Sequence, residues 1–593
     1  MSLLGAKPSP RIRCAGIFLF AALFAAMGCA RRDVSGDALP TLRLKTSRFR
    51  GYDPALAVDQ ATSVAVGRIY EGLLQYAYWK RPYRVEPLLA DGEPEVSDDG
   101  LVWRFRIRRG IFFSDDPCFA ATGGKGRELV ASDFAYSIKR IADVKVGSGG
   151  YWAFRGKIAG LDAFRAGSQG KGKTDYDVEV EGLRAVGTHE LEIRLTAPYP
   201  QLPWILAMPY AYAVPREAVE HYGAHFVNHP VGTGPYVLHS ARQNYRYEYL
   251  ANPKWPEAGR RECVPADAPT ADAGKPLPLI RRIVDVVVGD PSTAWLMFMS
   301  GQLDMVDVSR DQWDGIVTPE KGLRPELAAR GIVLESSPQL NVNYTAFNMD
   351  DPVVGSNKQL RQALACAFDS ARWGEFQNGR IGAATGPIPP GVSGHSETPV
   401  QPLFDLDRAR KLLEDAGYPG GKDPATGRRL ALVLEIGTAD NPEERQAAEL
   451  MSNFMEQIGV VLELRFNNWP AFIQKISRRE AQMFSLTWIG DYPDAQNFLQ
   501  LFFSENASPG PNRANFVDPE FDQLYRRLAQ MPASSGREGI CREAAARAMG
   551  ECPWILTGYP MAHAVRHGRL KNYLRHDFPY GMEKYLALEE AVR

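Results

Sequence analysis

The stretch Pro230-Val-Gly-Thr-Gly-Pro-Tyr236, continued by Val237 and Leu238, places two glycines around a threonine between two apolar segments. Glycine has no Cβ, so it permits turns and backbone contacts that other residues block. We therefore expect a turn or a tight backbone approach at Gly232 to Gly234. Such a contact constrains which other segment can lie beside this one.

On both sides of this stretch, strand patterns and helix patterns follow one another. Apolar residues alternate with charged ones in the segment 101–110, where Trp103, Phe105 and Ile107 alternate with three arginines. Those arginines could form an anion site, but a solvated sheet face is the simpler interpretation. Strands are predicted at residues 41–45, 101–110, 190–195, 283–288, 430–436 and 460–466. Helices are predicted at residues 61–74, 132–141, 357–369, 407–416 and 442–457.

Helix signals and chain order favour an α/β fold. The helix at 407–416 is capped by Asp405 or Asp407 and stopped by Gly417. The succession of strand, helix and strand over residues 430–466 forms one α/β unit.

Length and composition exclude several classes of protein. The 593 residues favour three or four domains, and 45% hydrophobic with 23% charged residues is an ordinary globular composition. Lysine and arginine number 69 against 70 acidic residues, so the basic excess typical of nucleic-acid binders is absent.

The first residues resemble an export signal. Lys7, Arg11 and Arg13 precede the apolar run of residues 15–27, which is too short for a membrane span of about 20 residues. The sequence Ala26-Met27-Gly28-Cys29 resembles a bacterial lipobox. We expect cleavage after residue 28 and lipidation of Cys29, with residues 29–40 as a linker. The alternative is a simple N-terminal membrane anchor.

Seven cysteines occur, and Cys14 is lost with the signal. Beyond Cys29, an odd number remains, so at least one thiol is free (Cys118, Cys263, Cys366, Cys541 and Cys552). Cys541 and Cys552 are near in sequence and could pair, although one sequence does not reveal connectivity.

Further short motifs occur in a fixed order between residues 70 and 522. They are Tyr70-Glu-Gly-Leu-Leu74, the block of residues 88–133, the segment 230–236, Tyr344-x-x-Phe-Asn348, Arg361-Gln-Ala-Leu-Ala365, Pro389-Pro-Gly391, residues 412–418, Trp488-Ile-Gly-Asp-Tyr-Pro-Asp494 and Asp518-Pro-Glu-Phe-Asp522. Together they resemble the extracellular solute-binding proteins of family 5, the oligopeptide and dipeptide class that serves ABC importers. Residues 117–128 and 256–274 look inserted relative to that family.

The resemblance implies an α/β fold with mixed sheets. It is the two-lobed periplasmic-binding-protein type II fold, the Venus flytrap, with an extra domain. The implied division is a signal peptide at 1–28; domain I at 41–76, 205–290 and 555–593; the extra domain II at 77–204; and domain III at 291–554. The ligand would lie between lobes that close about a hinge.

The resemblance also implies site residues. In the family, an aspartate three residues after a tryptophan holds the peptide ammonium, and here it is Asp491. Trp488 would form a wall of the cleft. Further ligand-binding candidates are Tyr492, Tyr136, Thr233 and Arg380. The alternatives are a turn residue for Asp491, a core aromatic for Trp488 and a surface position for Arg380.

The expected function is the lipid-anchored binding component of an ABC importer. Its partners would be a peptide, the permease subunits and membrane lipid through Cys29, with no cofactor and no nucleic acid, as a monomer. The alternatives are a non-peptide solute such as an oligosaccharide, metal chelate or opine-like compound, or an envelope enzyme or signalling receptor.

Catalytic and metal signatures are weak. The sequence has no GxSxG, HExxH or GxxxxGK[ST] motif, so an enzyme is not expected. His221, His225 and His229 are spaced at four, with His239 nearby, but Gly223 and Pro230 interrupt any shared helix face. We therefore expect no metal site.

Overall fold

The computed structural model describes residues 39–255, 262–437 and 442–589. The predicted signal peptide, Cys29, most of the linker and residues 256–261 of the predicted insertion lie outside the described residues.

Strands are spread over the whole described chain. In order they are β1 (Thr41–Thr46), β2 (Leu74–Tyr76), β3 (Val85–Pro87), β4 (Glu95–Val96), β5 (Val102–Arg106), β6 (Leu183–Gly187), β7 (Glu190–Arg194), β8 (Tyr236–Arg242), β9 (Arg246–Ala251), β10 (Arg282–Val287), β11 (Met305–Asp307), β12 (Ile332–Pro338), β13 (Asn341–Phe347), β14 (Ile381–Gly382), β15 (Ala431–Ile436), β16 (Val461–Phe466), β17 (Met483–Ile489), β18 (Trp554–His567), β19 (Leu570–Lys571) and β20 (Ala587–Leu588).

Helices lie between them. They are α1 (Gln60–Ile69), α2 (Ala131–Ala142), α3 (Leu161–Ser168), α4 (Leu202–Leu206), α5 (Arg216–Tyr222), α6 (Pro291–Met299), α7 (Arg310–Ile316), α8 (Pro325–Ala328), α9 (Lys358–Ala367), α10 (Ser370–Phe376), α11 (Leu406–Asp415), α12 (Pro442–Glu456), α13 (Trp469–Ser477), α14 (Ala495–Leu499), α15 (Pro519–Gln530) and α16 (Ser535–Gly550).

Among the described residues, a 12-stranded mixed sheet joins the early, middle and late parts of the chain. Its order is β16-β15-β17-β13-β18-β11-β1-β10-β9-β8, and β12 and β14 also pair with β18. β1 is parallel to both β10 and β11, and β15 is parallel to both β16 and β17. The long strand β18 pairs antiparallel with β11, β12, β13 and β14. The prediction of an α/β fold with mixed sheets is confirmed.

A separate four-stranded sheet has the order β4-β5-β7-β6. In β5, Phe105 is buried, whereas Arg104 and Arg106 are exposed and pair with Glu192 and Glu95. The arginine face is therefore a solvated, ion-paired sheet face, as the simpler interpretation held.

The Gly-Thr-Gly segment packs directly against the end of α1. The Gly234 N–H donates to the Ile69 carbonyl at 2.7 Å. A Cβ on Gly232 would lie only 2.0 Å from the Ile69 carbonyl oxygen. The predicted tight approach is confirmed. The predicted helix at 61–74 was too long, because this contact occupies the carbonyl of Ile69 and the chain then extends toward β2 at Leu74.

Most other predicted elements are confirmed, and their caps are now defined. Asp405, rather than Asp407, accepts from the Arg408 N–H at the start of α11. The helix predicted at 357–369 ends earlier, since Asp369 caps the separate helix α10.

The suggested pairing of Cys541 with Cys552 is wrong, because both thiols are free and buried. Cys541 lies inside α16 and Cys552 follows its end at Gly550. Nine helical residues span about 14 Å at 1.5 Å each, twice the Cα separation that a disulfide tolerates.

A buried ion cluster joins three distant segments. Arg68 on α1 pairs with Asp285 on β10 and with Glu583 near the C-terminus, where its Nε lies 2.8 Å from Glu583 Oε1. Arg68 is only 2% exposed. Burial alone would lower the pKa of Arg68, but the two carboxylates raise it well above its usual value. The segments around residues 68, 285 and 583 are therefore packed as one unit.

Replacing Arg68 by methionine removes the cation from this cluster. We expect Arg68→Met to lower the free energy of unfolding by about 3–5 kcal/mol, since two buried carboxylates lose their partner. Urea denaturation at pH 7 measures the loss. Lys80→Met is the control, because Lys80 and Asp267 form an exposed pair and such pairs contribute little. Equal stability of the two variants would contradict the structural role of Arg68.

Candidate functional site

Asp491 lies in the turn between β17 and α14, where one buried side chain fixes its position. Asn497, which is 0% exposed, donates its amide to Asp491 Oδ2 at 2.8 Å. The Asn497 carbonyl oxygen accepts from the Asp491 N–H and from the Trp488 indole, both at 3.0 Å. Asn497 therefore holds the carboxylate, the turn and the tryptophan in one arrangement.

The carboxylate of Asp491 has an unusual electrostatic environment. Its side chain is neither fully buried nor exposed, yet the dense surroundings raise its pKa from 3.8 to about 6, against the opposing effect of the Asn497 hydrogen bond. No basic side chain of the described residues forms an ion pair with it. A carboxylate in such a place is stabilised by an external cation.

Four tyrosines from other parts of the chain surround Asp491. Burial raises the pKa values of all four, and the negative charge of Asp491 raises them further (Tyr76, Tyr199, Tyr210 and Tyr580). The Tyr76 hydroxyl is buried and has no hydrogen-bond partner among the described residues. Asp491 therefore lies within electrostatic range of four phenols that come from other parts of the chain.

Tyr492 directly follows Asp491 in the chain and is buried. Its ring stacks on Trp152, with 6.5 Å between centroids and 13° between planes. The Tyr492 hydroxyl donates to Gln496 Oε1 at 2.6 Å. Trp152 is 42% exposed, so the stack joins the Gly149–Ala153 turn to the segment after β17 at the surface of the site.

Trp488 lies on the face of β17 opposite to the exposed one. Thr487 and Ile489 are exposed, whereas Trp488 packs against the core and donates to Asn497. This placement favours the core alternative for Trp488 over a cleft wall. Its observed role is to position Asn497.

The remaining predicted residues lie elsewhere. Tyr136 on α2 packs edge-on against Tyr176 at 4.9 Å, beside a different cavity of about 1110 Å³. The Thr233 hydroxyl is buried and donates to Glu71 at 3.0 Å. Arg380 Nε donates to the Gln377 carbonyl at 2.9 Å. The observed contacts of Tyr136 and Thr233 are with residues other than Asp491, and Thr233 has an architectural role beside α1.

A cavity of about 570 Å³ lies at the carboxyl ends of β1 and β11 and at the start of α1. Ligands of open α/β sheets bind at such strand ends, and the volume is typical of small-molecule sites. It is lined by Leu44, Lys45, Thr46, Ser47, Arg48, Asp59, Gln60, Ala61, Val64, Arg68, Tyr78, Asp285, Met305, Val306, Asp307, Leu570, Tyr573, Leu574, Arg575, His576, Pro579, Met582, Glu583 and Leu586.

This cavity and Asp491 have neighbouring aromatic residues. His576, which lines the cavity, packs edge-on against Tyr76 at 5.5 Å. The charge of Asp491 raises the pKa values of both Tyr76 and Tyr210.

Sequence reasoning missed most of these residues. Asn497 follows Asp491 by six positions and is an ordinary polar residue at the start of a short helix. Tyr76 and Tyr210 come from segments hundreds of positions away, and Tyr580 lies about 90 positions after Asp491. No local pattern distinguishes them from core tyrosines or surface arginines.

The histidines and the helices of the described chain bear on two separate properties, metal binding and membrane crossing. Within residues 39–255, 262–437 and 442–589, no group of three or more potential protein ligands could hold a metal ion. Two of the histidines weighed as metal ligands pack on one tyrosine, since His229 stacks on Tyr222 at 4.4 Å and His221 lies edge-on to it at 4.7 Å. In the same part of the chain, no helix combines the length and apolar character needed to cross a membrane.

Comparisons with a family model and with known proteins agree on one family. Residues 84–510, more than half of the chain, match the model of the bacterial extracellular solute-binding proteins, family 5 Middle. The chain is 24% identical to di/tripeptide-binding protein 2 of Pseudomonas aeruginosa, over 88% of this chain and 90% of the relative. It is also 24% identical to heme-binding protein A of Haemophilus influenzae, over 89% of each chain.

A solved structure shows the same fold. The structure of HbpA2 from Haemophilus parasuis superposes with a TM-score of 0.74 at 22% identity, covering 93% of this chain and all of that one.

The raised pKa of Asp491 predicts a measurable pH effect on the ligand-free protein. Because the folded pKa of about 6 exceeds the ordinary 3.8, the contribution of Asp491 to stability is greatest below pH 4 and is lost as the pH rises to 6. At pH 7 the ionised group costs at most about 3 kcal/mol. We expect Asp491→Asn to be at least as stable as wild type at pH 7, with the difference vanishing near pH 4.

Chemical denaturation of both proteins at pH 4 and pH 7 tests this expectation. Other titrating groups are common to the two proteins, so the comparison isolates Asp491. An Asn variant that is clearly less stable at pH 7 would show that Asp491 is a structural turn residue.

Proposed function

Because the chain belongs to family 5 of the bacterial extracellular solute-binding proteins, we propose that it binds short peptides between two lobes and delivers them to the permease of an ABC importer. Relatives over most of the chain are named as di/tripeptide-binding proteins. They are binding proteins rather than enzymes, which is consistent with the absence of catalytic motifs.

One observation supports the peptide ligand above all others. The Asp491 carboxylate is held by Asn497, surrounded by phenols and unpaired with any described cation. A peptide ammonium supplies the missing positive charge, and closure of the lobes would shield the pair from water. The resemblance assigns the same role to this position. Tyr492 and Trp152 would then cover the bound amine.

A non-peptide solute is the competing proposal. One relative is named as a heme-binding protein, so the family likeness does not by itself select peptides. The chemistry at Asp491 favours a ligand that carries an amine over a neutral oligosaccharide or a polyanionic chelate.

We further propose the domain division implied by the resemblance, with domain I at 41–76, 205–290 and 555–593. The Arg68 cluster supports it, since it connects one residue from each of these three segments. A bidentate pair between Arg140 and Asp53, at 2.7 and 2.9 Å, links the proposed domain II to domain I.

Peptide binding predicts thermal stabilisation of the full mature chain. Di- to octapeptides at 100 times their Kd should add about 2.7 kcal/mol to the free energy of unfolding. Asp491→Asn should weaken peptide affinity at least about 30-fold, because an interfacial charge loses its partner. Asp98→Asn, at an exposed position, is the matched control and should bind as wild type does.

The same titration has a pH signature. Since the amine requires ionised Asp491, affinity should fall by up to tenfold per pH unit below about pH 6. The Asn variant should lack this decline. A protein that responds to no peptide, or a decline that persists in the variant, would reject the peptide assignment.

Lipid anchoring through Cys29 is proposed from the lipobox alone. The full chain expressed in a bacterium should incorporate labelled fatty acid and fractionate with membranes. Cys29→Ser should abolish the label and release the protein, since a diacylglycerol supplies most of the anchoring energy. Continued membrane association of Cys29→Ser would support an uncleaved N-terminal anchor instead.

A further inference from the structure

Arg537, in the first turn of α16, is a buried cation whose partners lie on two other helices. It is 4% exposed. Its Nη2 donates to Asp494 Oδ1 at 2.6 Å, and its Nε donates to the Leu528 carbonyl at 2.9 Å. Burial alone would lower the pKa of Arg537, but the charge of Asp494 raises it above its usual value. The guanidinium is therefore fixed between the start of α14 and the end of α15.

Asp494 joins this guanidinium to the helix that holds Asp491. The same oxygen, Asp494 Oδ1, accepts from the Gln496 N–H at 2.8 Å as the cap of α14. The Asn497 N–H donates to the Asp494 carbonyl at 3.0 Å. Asn497 in turn donates its side-chain amide to Asp491 Oδ2. A continuous path of hydrogen bonds thus runs from Arg537 through Asp494 and Asn497 to the carboxylate.

Gln201 contacts Arg537 from a distant part of the chain. It directly precedes α4 and is 1% exposed. In the amide orientation that satisfies both of its polar atoms, its oxygen accepts from Arg537 Nη2 and its nitrogen donates to the Ala529 carbonyl, each at 3.3 Å. In the proposed division, Gln201 belongs to domain II and Arg537 to domain III. The surroundings of Arg537 are therefore complete only while these two parts of the chain touch.

The carboxylate of Asp491 depends on this support for its orientation. It forms no ion pair with a described residue, and Asn497 is the side chain that holds it. A binding group loses affinity when the residues behind it leave it free to move by about 1 Å. Asn497 is itself placed by the capped first turn of α14. A charge-assisted hydrogen bond from a buried arginine is one of the stronger contacts that can fix such a cap.

We propose that Arg537 is a positioning residue for ligand recognition. It fixes Asp494 and the start of α14, and it thereby holds Asn497 and Asp491 in the geometry that receives the peptide ammonium. Gln201 fixes Arg537 itself. The inference rests on the proposed function and extends it, because affinity for the amine then depends on two residues that do not touch the ligand.

A double-mutant cycle with Asp491 tests the role of Arg537. Binding of trialanine, or of whichever di- to octapeptide binds more tightly, is measured by calorimetry on the full mature chain. The four proteins are the wild type, Arg537→Lys, Asp491→Asn and the double variant. Lysine keeps the charge but lacks the guanidinium fork, so it cannot serve all the partners of Arg537 at once. We expect Arg537→Lys to weaken affinity roughly 5- to 10-fold in the wild-type background and less than about 2-fold in the Asp491→Asn background.

Two further variants keep the test decisive if the buried lysine prevents folding, which circular dichroism reveals. Gln201→Leu removes an acceptor of Arg537 without changing the charge. It should weaken affinity about 3-fold in the wild-type background and have no effect in the Asp491→Asn background. Arg542→Lys is the matched control, because Arg542 is an exposed arginine of the same helix with a long contact of 3.8 Å to Glu538. This variant should bind as the wild type does.

The outcomes separate this inference from the proposed function. Unchanged affinity in a folded Arg537→Lys protein, or in Gln201→Leu if the lysine variant does not fold, would overturn the inference and leave peptide binding intact. Equal losses in both backgrounds would also overturn it, because a general structural role does not depend on Asp491. If the wild-type protein binds no di- to octapeptide, the proposed function itself fails.

Discussion

The pairing of Arg68 with Asp285 and Glu583 is the contact on which the rest of the structure depends. A buried guanidinium is tolerated only with carboxylate partners, so segments hundreds of residues apart must meet at α1. Once α1 is fixed there, β1 ends beside its first turn and the cavity lies between them. The Gly232 to Gly234 segment fixes the other end of the helix, since only glycine allows its approach to Ile69.

The carboxylate of Asp491 lacks the charge compensation that the Arg68 cluster has. Its carboxylate is desolvated without a cation, which lowers the stability of the ligand-free protein, and Asn497 orients it rather than neutralising it. Such a local loss of stability is typical of binding sites, because the ligand supplies the missing interaction. The cavity beside α1 is lined by charged residues of both signs, among them Lys45, Arg48 and Asp307.

The fold was predictable from sequence to the extent that its signals were local. Alternation located β5, and a capping aspartate located α11, because these signals depend on neighbours a few positions away. Predictions failed where a distant segment decided the outcome. The helix after Gln60 ends at Ile69 because Gly234 binds its carbonyl. The motif around Asp491 selected a carboxylate in an unusual environment, but it indicated none of the tyrosines near it.

The sequence by itself determined the export-like N-terminus, the α/β pattern and the motifs that indicate a solute-binding protein, since each is written in contiguous residues. Only the tertiary structure decided which side chains share a pocket. Tyr76, Tyr210 and Tyr580 come within electrostatic range of Asp491 only in the folded chain, because they belong to segments far from it in sequence. Which charged residues form ion pairs is likewise decided only by the three-dimensional fold. Asp285 and Asp491 look alike as isolated aspartates, and the fold alone gives Asp285 a cationic partner and leaves Asp491 without one among the described residues.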